Sequence, residues 1–290
     1  MILDVLCVCV LATGGFACVV PPWLDEVRVS VPNTSHCLDV FVTVALFPDR
    51  PRGWPGRVAS ATERSKLPLI HAPRGCAVAF VTSNVALHHA ARSDWIFSTV
   101  NLESNITSNE VQRRAHAIRT FAPFLFPMAR DIHYGDVKCQ KNNIFPSASF
   151  QRLAASTTCP IRTLKHPQRF GHALHEEFSA VVRHMRVRKE SQEVFDDIEK
   201  TRKVCGRLGV LDLIVSMPDS MCVSFAVSSK SKELSCRWTQ AVCELSMRVQ
   251  LTFNLAVLSS GLEECGCSLR FCATEPGVAY IPFGQLTSLV

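Results

Sequence analysis

Between Leu208 and Phe283 the hydrophobic period of the chain changes from 2 to 3.6 and back to 2. Met221, Val223, Phe225 and Val227 alternate with Cys222, Ser224, Ala226 and Ser228. Leu234, Trp238, Val242, Leu245 and Val249 then fall three or four residues apart, and Leu251, Phe253, Leu255 and Val257 alternate again with Thr252, Asn254 and Ala256. A strand repeats its face every second residue and a helix every three to four. The pattern therefore predicts a packed α+β unit in the last third.

Its elements read as strands over Gly209–Ser216 and Met221–Ser228, a helix over Glu233–Gln250, strands over Leu251–Leu258 and Ser268–Thr274, and an extended piece to Phe283. The short link Met217-Pro218-Asp219-Ser220 predicts antiparallel pairing of the first two strands. Upstream, Leu174, Phe178, Val181, Val182 and Met185 form one stripe of a helix starting near Phe170. After the polar Lys189–Gln192 comes a second helical run with Gly206 at its end, either a separate helix or the continuation of a kinked one. The order is α-β-β-α-β-β, and the fold class is α+β with a mostly antiparallel mixed sheet.

Nearer the start, Val27, Val29 and Val31, the turn Pro32–Ser35, and Leu38, Val40, Val42, Val44 and Leu46 read as a hairpin. Pro48–Pro73 reads as a long loop, and Cys76–Thr82 and Trp95–Val100 as short strands. A helix capped at Ser108 or Asn109 runs to about Ala122, with Val111, Ala115, Ile118 and Ala122 inward. From Met128 to Gln168 periodicity is lost. The expected division is a β-rich lobe over 1–127, an irregular basic connection over 128–168 and an α+β domain over 169–290.

With 290 residues, 47% hydrophobic and 19% charged, the chain has a globular composition. No apolar run reaches the roughly 20 residues of a transmembrane helix. The net charge of +6 is concentrated in the middle: residues 111–190 hold 14 Lys/Arg against 5 Asp/Glu. Arg113, Arg114, Arg183, Arg186, Arg188 and Lys189 are the candidates for an anion- or nucleic-acid-binding surface, because phosphate contacts need clustered cations.

Residues 2–17 are apolar except for Asp4, and Gly15-Phe16-Ala17 suits a leader cleavage site. Against a leader, no Lys or Arg precedes Arg28, and the alternation of Leu3, Val5, Cys7 and Cys9 equally suits a buried strand. Intracellular placement is the favoured expectation, with secretion after removal of residues 1–17 as the alternative. The 14 cysteines include Cys222, Cys236, Cys243 and Cys272 within regular patterns, where reduced thiols act as small hydrophobes. Asn33-Thr34-Ser35 and Asn105-Ile106-Thr107 match the N-glycosylation pattern, which by frequency alone carries no weight.

No phosphate-loop, Gly-x-Gly-x-x-Gly or Gly-x-Ser-x-Gly motif occurs, which argues against the common nucleotide-binding and serine-hydrolase architectures. His172, His175 and Glu176 share one face if they lie on a helix, and are the one candidate metal cluster. Their order departs from His-Glu-x-x-His, so a polar helix shoulder is the simpler reading. Cys265, Cys267 and Cys272 read as core or disulfide cysteines rather than a zinc half-site. Asp212 lacks the second carboxylate of a metal-dependent nuclease. No catalytic residue and no cofactor is assigned.

The expectation is a non-catalytic assembly or interaction subunit with a protein partner or a second copy of itself. The alternatives are a secreted or lumenal disulfide-bonded protein, and a nucleic-acid-associated protein using segment 111–190.

Overall fold

The computed structural model describes residues 18–47, 76–83, 94–136, 159–259 and 278–281. In chain order its elements are α1 (Pro22–Ser30), β1 (Asp39–Ala45), β2 (Cys76–Val81), β3 (Ile96–Thr99), α2 (Ser108–Thr120), α3 (Ala122–Leu125), β4 (Asp131–Gly135), β5 (Ile161–Ala173), α4 (Leu174–Val187), α5 (Gln192–Arg207), β6 (Ile214–Ala226), α6 (Ser229–Glu244), α7 (Val249–Ser259) and β7 (Val278–Ile281). The architecture is α+β, with one mixed sheet in the order β3-β2-β1-β4-β6-β5-β7.

The sheet has two regimes. β3, β2, β1 and β4 are mutually parallel. β6 runs antiparallel to both β4 and β5, and β7 pairs parallel with β5. Parallel ladders thus outnumber antiparallel ones, and the expected antiparallel bias holds only around β6. The reason lies in the connections: parallel neighbours need a long crossover, and some thirty residues separate β1 from β2. β2 is buried along its whole length, as parallel strands are.

One face of the sheet carries Val40, Val42, Val78, Phe80, Ile132, Tyr134, Val223, Phe225 and Ile161, all in the main hydrophobic cluster. α2 packs on β1, α7 packs on β6, and α6 lies against both helices. Trp238 of α6 is fully buried, meets Phe253 of α7 edge-on at 4.8 Å, and donates from Nε1 to Val249 O at 3.1 Å. Burying a side chain of this size is worth roughly 2–3 kcal/mol, and its single donor is satisfied.

The other face holds a cross-strand row, Ala77, Phe41, His133, Ser224 and Arg162, all buried. Phe41 stacks on His133 at 5.2 Å. At the amino edge, Arg162 Nη1 donates to Asp131 Oδ1 at 2.7 Å, and the exposed Arg130 donates to Asp131 at 2.9 Å and to Asp39 at 2.8 Å.

Several sequence expectations are corrected. Residues 251–258 form a helix, not a strand: Leu251 to Val257 are buried on every side, so neither period marks a solvent face. Residues 22–30 form a helix instead of the first hairpin strand. Pro22 starts it, Leu24 and Val27 are buried three apart, and Val29 is 84% exposed. The strands expected at 209–216 and 221–228 are one strand, β6, continuous through 217–220. The connection expected over 128–168 contains β4 and the start of β5, so it does not separate two sheets. Gly206 lies inside α5; the left-handed residue past its end is Gly209, with φ 69°. The first long helix begins at Leu174 rather than Phe170, and α4 and α5 are separate, with Lys189 at φ 54° between them. Residues 1–17, the loop at 48–73 and the strand at 268–274 lie outside the described residues.

Two cysteine pairs lie at disulfide distance. Cys18 and Cys236 have Cα atoms 5.6 Å apart and tie the chain ahead of α1 to α6, and Cys37 and Cys76, 6.0 Å apart, tie the approach of β1 to the start of β2. Cys236 is therefore not the free core thiol expected of it. Cys205 and Cys243 form no disulfide among the described residues.

The Asp131–Arg162 pair gives a direct stability test. Burial alone would raise the Asp131 carboxyl, but hydrogen bonds from Arg162 and Arg130 outweigh it and hold the carboxyl below the ordinary value of 3.8. A lowered carboxyl stabilises the fold fully above its unfolded value, and that contribution is lost as pH falls through the folded value. Asp131→Asn leaves the buried Arg162 guanidinium without its carboxylate and should cost about 3 kcal/mol in urea unfolding at pH 7. The difference from the parent should shrink below pH 4. Arg130→Ala, at an exposed partner, should cost less than about 1 kcal/mol.

Candidate crevice at the carboxyl edge of the parallel strands

Chain direction, not any motif, defines the candidate site. β2 and β3 lie on one side of β1, whereas β4 lies on the other. The strand order therefore reverses between β1 and β4, and the carboxyl ends of those two strands are the candidate site. In open sheets with parallel strands this reversal point is where small ligands bind.

The register fixes which residues meet there. Val42 lies opposite Tyr134, so Thr43 falls beside Gly135 and Val44 is level with Asp136. Ala45 lies opposite Val81, and Val81 opposite Thr99. On β4's other side Gly135 pairs with Cys222 of β6. The carboxyl edge is thus formed by Leu46 and Phe47 after β1, Thr82 after β2, Val100 after β3, and Asp136 after β4.

Two hydroxyls hold this edge in shape. The buried Thr43 Oγ1 donates to Gly135 O at 2.8 Å, locking β1 to β4 at the reversal. Thr82 Oγ1 accepts from Phe47 N at 3.2 Å and donates to Phe47 O at 3.1 Å, fixing the chain leaving β1. Behind the edge, the buried Arg119 guanidinium of α2 stacks over the Tyr134 ring at 5.1 Å and over Trp238 at 5.8 Å. Asp136 itself is partly exposed. Among the described residues of this edge it is the carboxylate, the ligand type that hard divalent cations take.

The residues singled out from sequence fall elsewhere. β5 and β6 continue past the sheet's carboxyl edge as a two-stranded ribbon, and His172, His175 and Glu176 lie at its far end. His172 is on the strand, not on the helix that was expected to align it with the other two. His172 Nδ1 lies 3.4 Å from Glu176 Oε2, while His175 Nδ1 lies 3.3 Å from Asp212. Glu176 accepts from Ala173 N at 3.2 Å, the backbone contact of a helix start. Asp212 is fully exposed in the turn before β6 rather than on a strand. The three do not bring ligand atoms together. The group of described residues that does is His36, Cys37 and Cys76, within 4.8 Å of one another. Structural zinc sites have four ligands, and a disulfide between the two cysteines removes both thiolates.

Arg113 and Arg114 are turned inward rather than outward. Arg113 donates to Asp197 at 2.6 Å and to the carbonyls of Val242 and Cys243 at 3.0 and 3.1 Å, and so caps the carboxyl end of α6. Lys200 Nζ adds Glu244 O at 2.6 Å. Arg114 lies over Trp23 at 5.1 Å and bonds Glu103 at 2.9 Å. Both arginines join elements and leave little charge for a ligand. Arg183, Arg186, Arg188 and Lys189 are exposed at the end of α4, where cations complement the helix dipole. Burial pushes the Cys205 thiol up to about 11 and Cys243 to about 12, so neither is a nucleophile at neutral pH.

Sequence reasoning missed Thr43, Thr82, Arg119 and Asp136 because none belongs to a motif. The one signal available was Arg119 next to Ile118 on the inward stripe of α2. Replacing Thr82 with Val should remove both bonds to Phe47 and cost about 1–2 kcal/mol in chemical denaturation. The isosteric change should leave the far-ultraviolet circular dichroism intact. No family model matches the chain, and no curated protein or solved structure matches it.

Proposed function

We propose that the chain binds a phosphorylated small molecule of the nucleotide class at the carboxyl ends of β1 and β4, with Asp136 holding the divalent cation that accompanies its phosphates. The observation that carries this reading is the parallel order β3-β2-β1-β4 with its reversal between β1 and β4. Each half of a doubly wound nucleotide-binding sheet is built of three such parallel strands, and the ligand sits at the reversal.

The absent glycine motif refines the reading. The chain has no Gly-x-Gly-x-x-Gly turn, whose backbone N–H groups neutralise the pyrophosphate in that class, so this reading gives that role to a bound cation. Mg²⁺ is commonly held by one or two carboxylates, with waters and substrate phosphates completing its octahedron. A single aspartate at the strand end suffices for that, whereas it would not for a cage made of protein alone.

The assembly-subunit reading rests on a packed scaffold without a catalytic motif, whereas the nucleotide reading rests on the strand reversal. The two disulfides support an oxidising compartment for the chain, in keeping with the secreted or lumenal alternative. Of the six cations named for the nucleic-acid reading, Arg113 and Arg114 are committed internally and the four at the end of α4 are exposed.

The test is thermal unfolding of the purified chain with a panel of nucleoside diphosphates, with and without Mg²⁺ or Mn²⁺. At 100 times its Kd, a ligand should stabilise the fold by about 2.7 kcal/mol. The gain should require the metal. Asp136→Asn should remove that gain. Absence of any nucleotide-dependent shift, or an equal shift in the variant, would sink the reading.

A further inference from the structure

The turn between α1 and β1 presents an asparagine whose surroundings suit covalent modification. Asn33 is exposed, and its side-chain Oδ1 accepts from Ser35 N at 3.1 Å and from Ser35 Oγ at 2.8 Å. Its carboxamide nitrogen has no hydrogen-bond partner among the described residues. The oxygen is thus engaged by the hydroxyl two residues on, and the nitrogen is left open. Polarising the carboxamide oxygen raises the acidity of the Nδ2 protons, which is what an amide must gain to act as a nucleophile. Asn-x-Ser is also the acceptor pattern for N-linked glycans.

Three neighbouring features point the same way. Thr34, the middle residue of the triplet, is buried, and its carbonyl accepts from Cys37 N at 2.9 Å, so the turn is anchored while its flanks stay outside. Cys37, two residues past Ser35, is tied to Cys76, and a disulfide belongs to the oxidising lumen in which this glycosylation takes place. Asn33 also borders an open pocket of about 460 Å³ lined by Arg28, Phe124, Met128 and Lys232, with Met128 71% exposed. That shelf offers an apolar floor and two cations with long stems against which a first sugar can lie.

The second acceptor triplet differs. Asn105 is exposed, but Thr107 is the N-cap of α2 and its hydroxyl oxygen accepts from Glu110 N at 3.2 Å. No bond between that hydroxyl and Asn105 forms. The geometry singles out Asn33.

We propose that Asn33 carries an N-linked glycan, transferred from a lipid-pyrophosphate-linked oligosaccharide. The Nδ2–C1 bond forms as the bond from C1 to the pyrophosphate oxygen breaks. The lipid pyrophosphate leaves with that electron pair, and the amide loses one proton. The proposal is independent of the crevice reading, because Asn33 precedes β1 and so lies at the sheet's amino edge.

The experiment is to express the full chain in a secretion-competent eukaryotic cell and release glycans enzymatically in heavy-oxygen water, which converts a glycosylated asparagine to a labelled aspartate. Peptide mapping should find the label at residue 33 in the parent, in Ser35→Thr and in Asn105→Gln, and should not find it in Ser35→Ala. Unlabelled Asn33 in the parent, or label persisting in Ser35→Ala, would overturn the proposal. Ser35→Thr keeps the acceptor hydroxyl, so its behaviour separates loss of the acceptor from damage to the turn.

Discussion

β1 takes parallel partners on both of its edges, β2 on one and β4 on the other, and the rest of the molecule is arranged around that choice. A strand so placed has no solvent-facing edge, which is why Val40, Phe41 and Val42 are all buried and why the strand reads as a nearly continuous apolar run. The same choice makes the strand order reverse between β1 and β4. That reversal is a consequence of topology before any side chain is considered. Thr43 and Thr82 hold the carboxyl edge there, and Asp136 follows β4.

The remaining elements brace this arrangement. α2 lies on β1 and against α6, and α6 in turn packs on α7, which covers β6. Arg113 spans three of these helices by pairing with Asp197 of α5 while capping α6 from α2. The buried Arg119 sits between Tyr134 of the sheet and Trp238 of α6, so one cation is shared by the two layers. Arg113 and Arg114, two of the six basic residues that look like a ligand surface in the sequence, thus act as internal connectors. A guanidinium can satisfy several carbonyls and a carboxylate at once, which an ammonium does less well.

The legibility of the sequence follows from where water lies. β2 and α2 were legible because continuous burial with apolar residues, or an apolar stripe with a polar back, has one reading at those lengths. The stripe Leu174, Phe178, Val181 and Met185 was legible for the same reason. α7 was not, because a helix enclosed on all sides has no polar face to mark its period. Strand direction was not, because pairing is set by long connections whose composition says little. The crevice was illegible as a result: its residues lie far apart in the chain and become neighbours only through the parallel register. The metal reading of His172, His175 and Glu176 depended on a helix beginning before His172, and the strand persists through Ala173 instead.

Amide hydrogen exchange, followed by mass spectrometry on the purified chain with and without a saturating nucleoside diphosphate and Mg²⁺, tests the central claim most directly. The account predicts added protection in peptides covering 43–47, 82–83 and 134–136, with the ribbon end at 172–176 and the α4 terminus unchanged. Protection confined to the ribbon end or to Arg183–Lys189, or no protection anywhere, would contradict it.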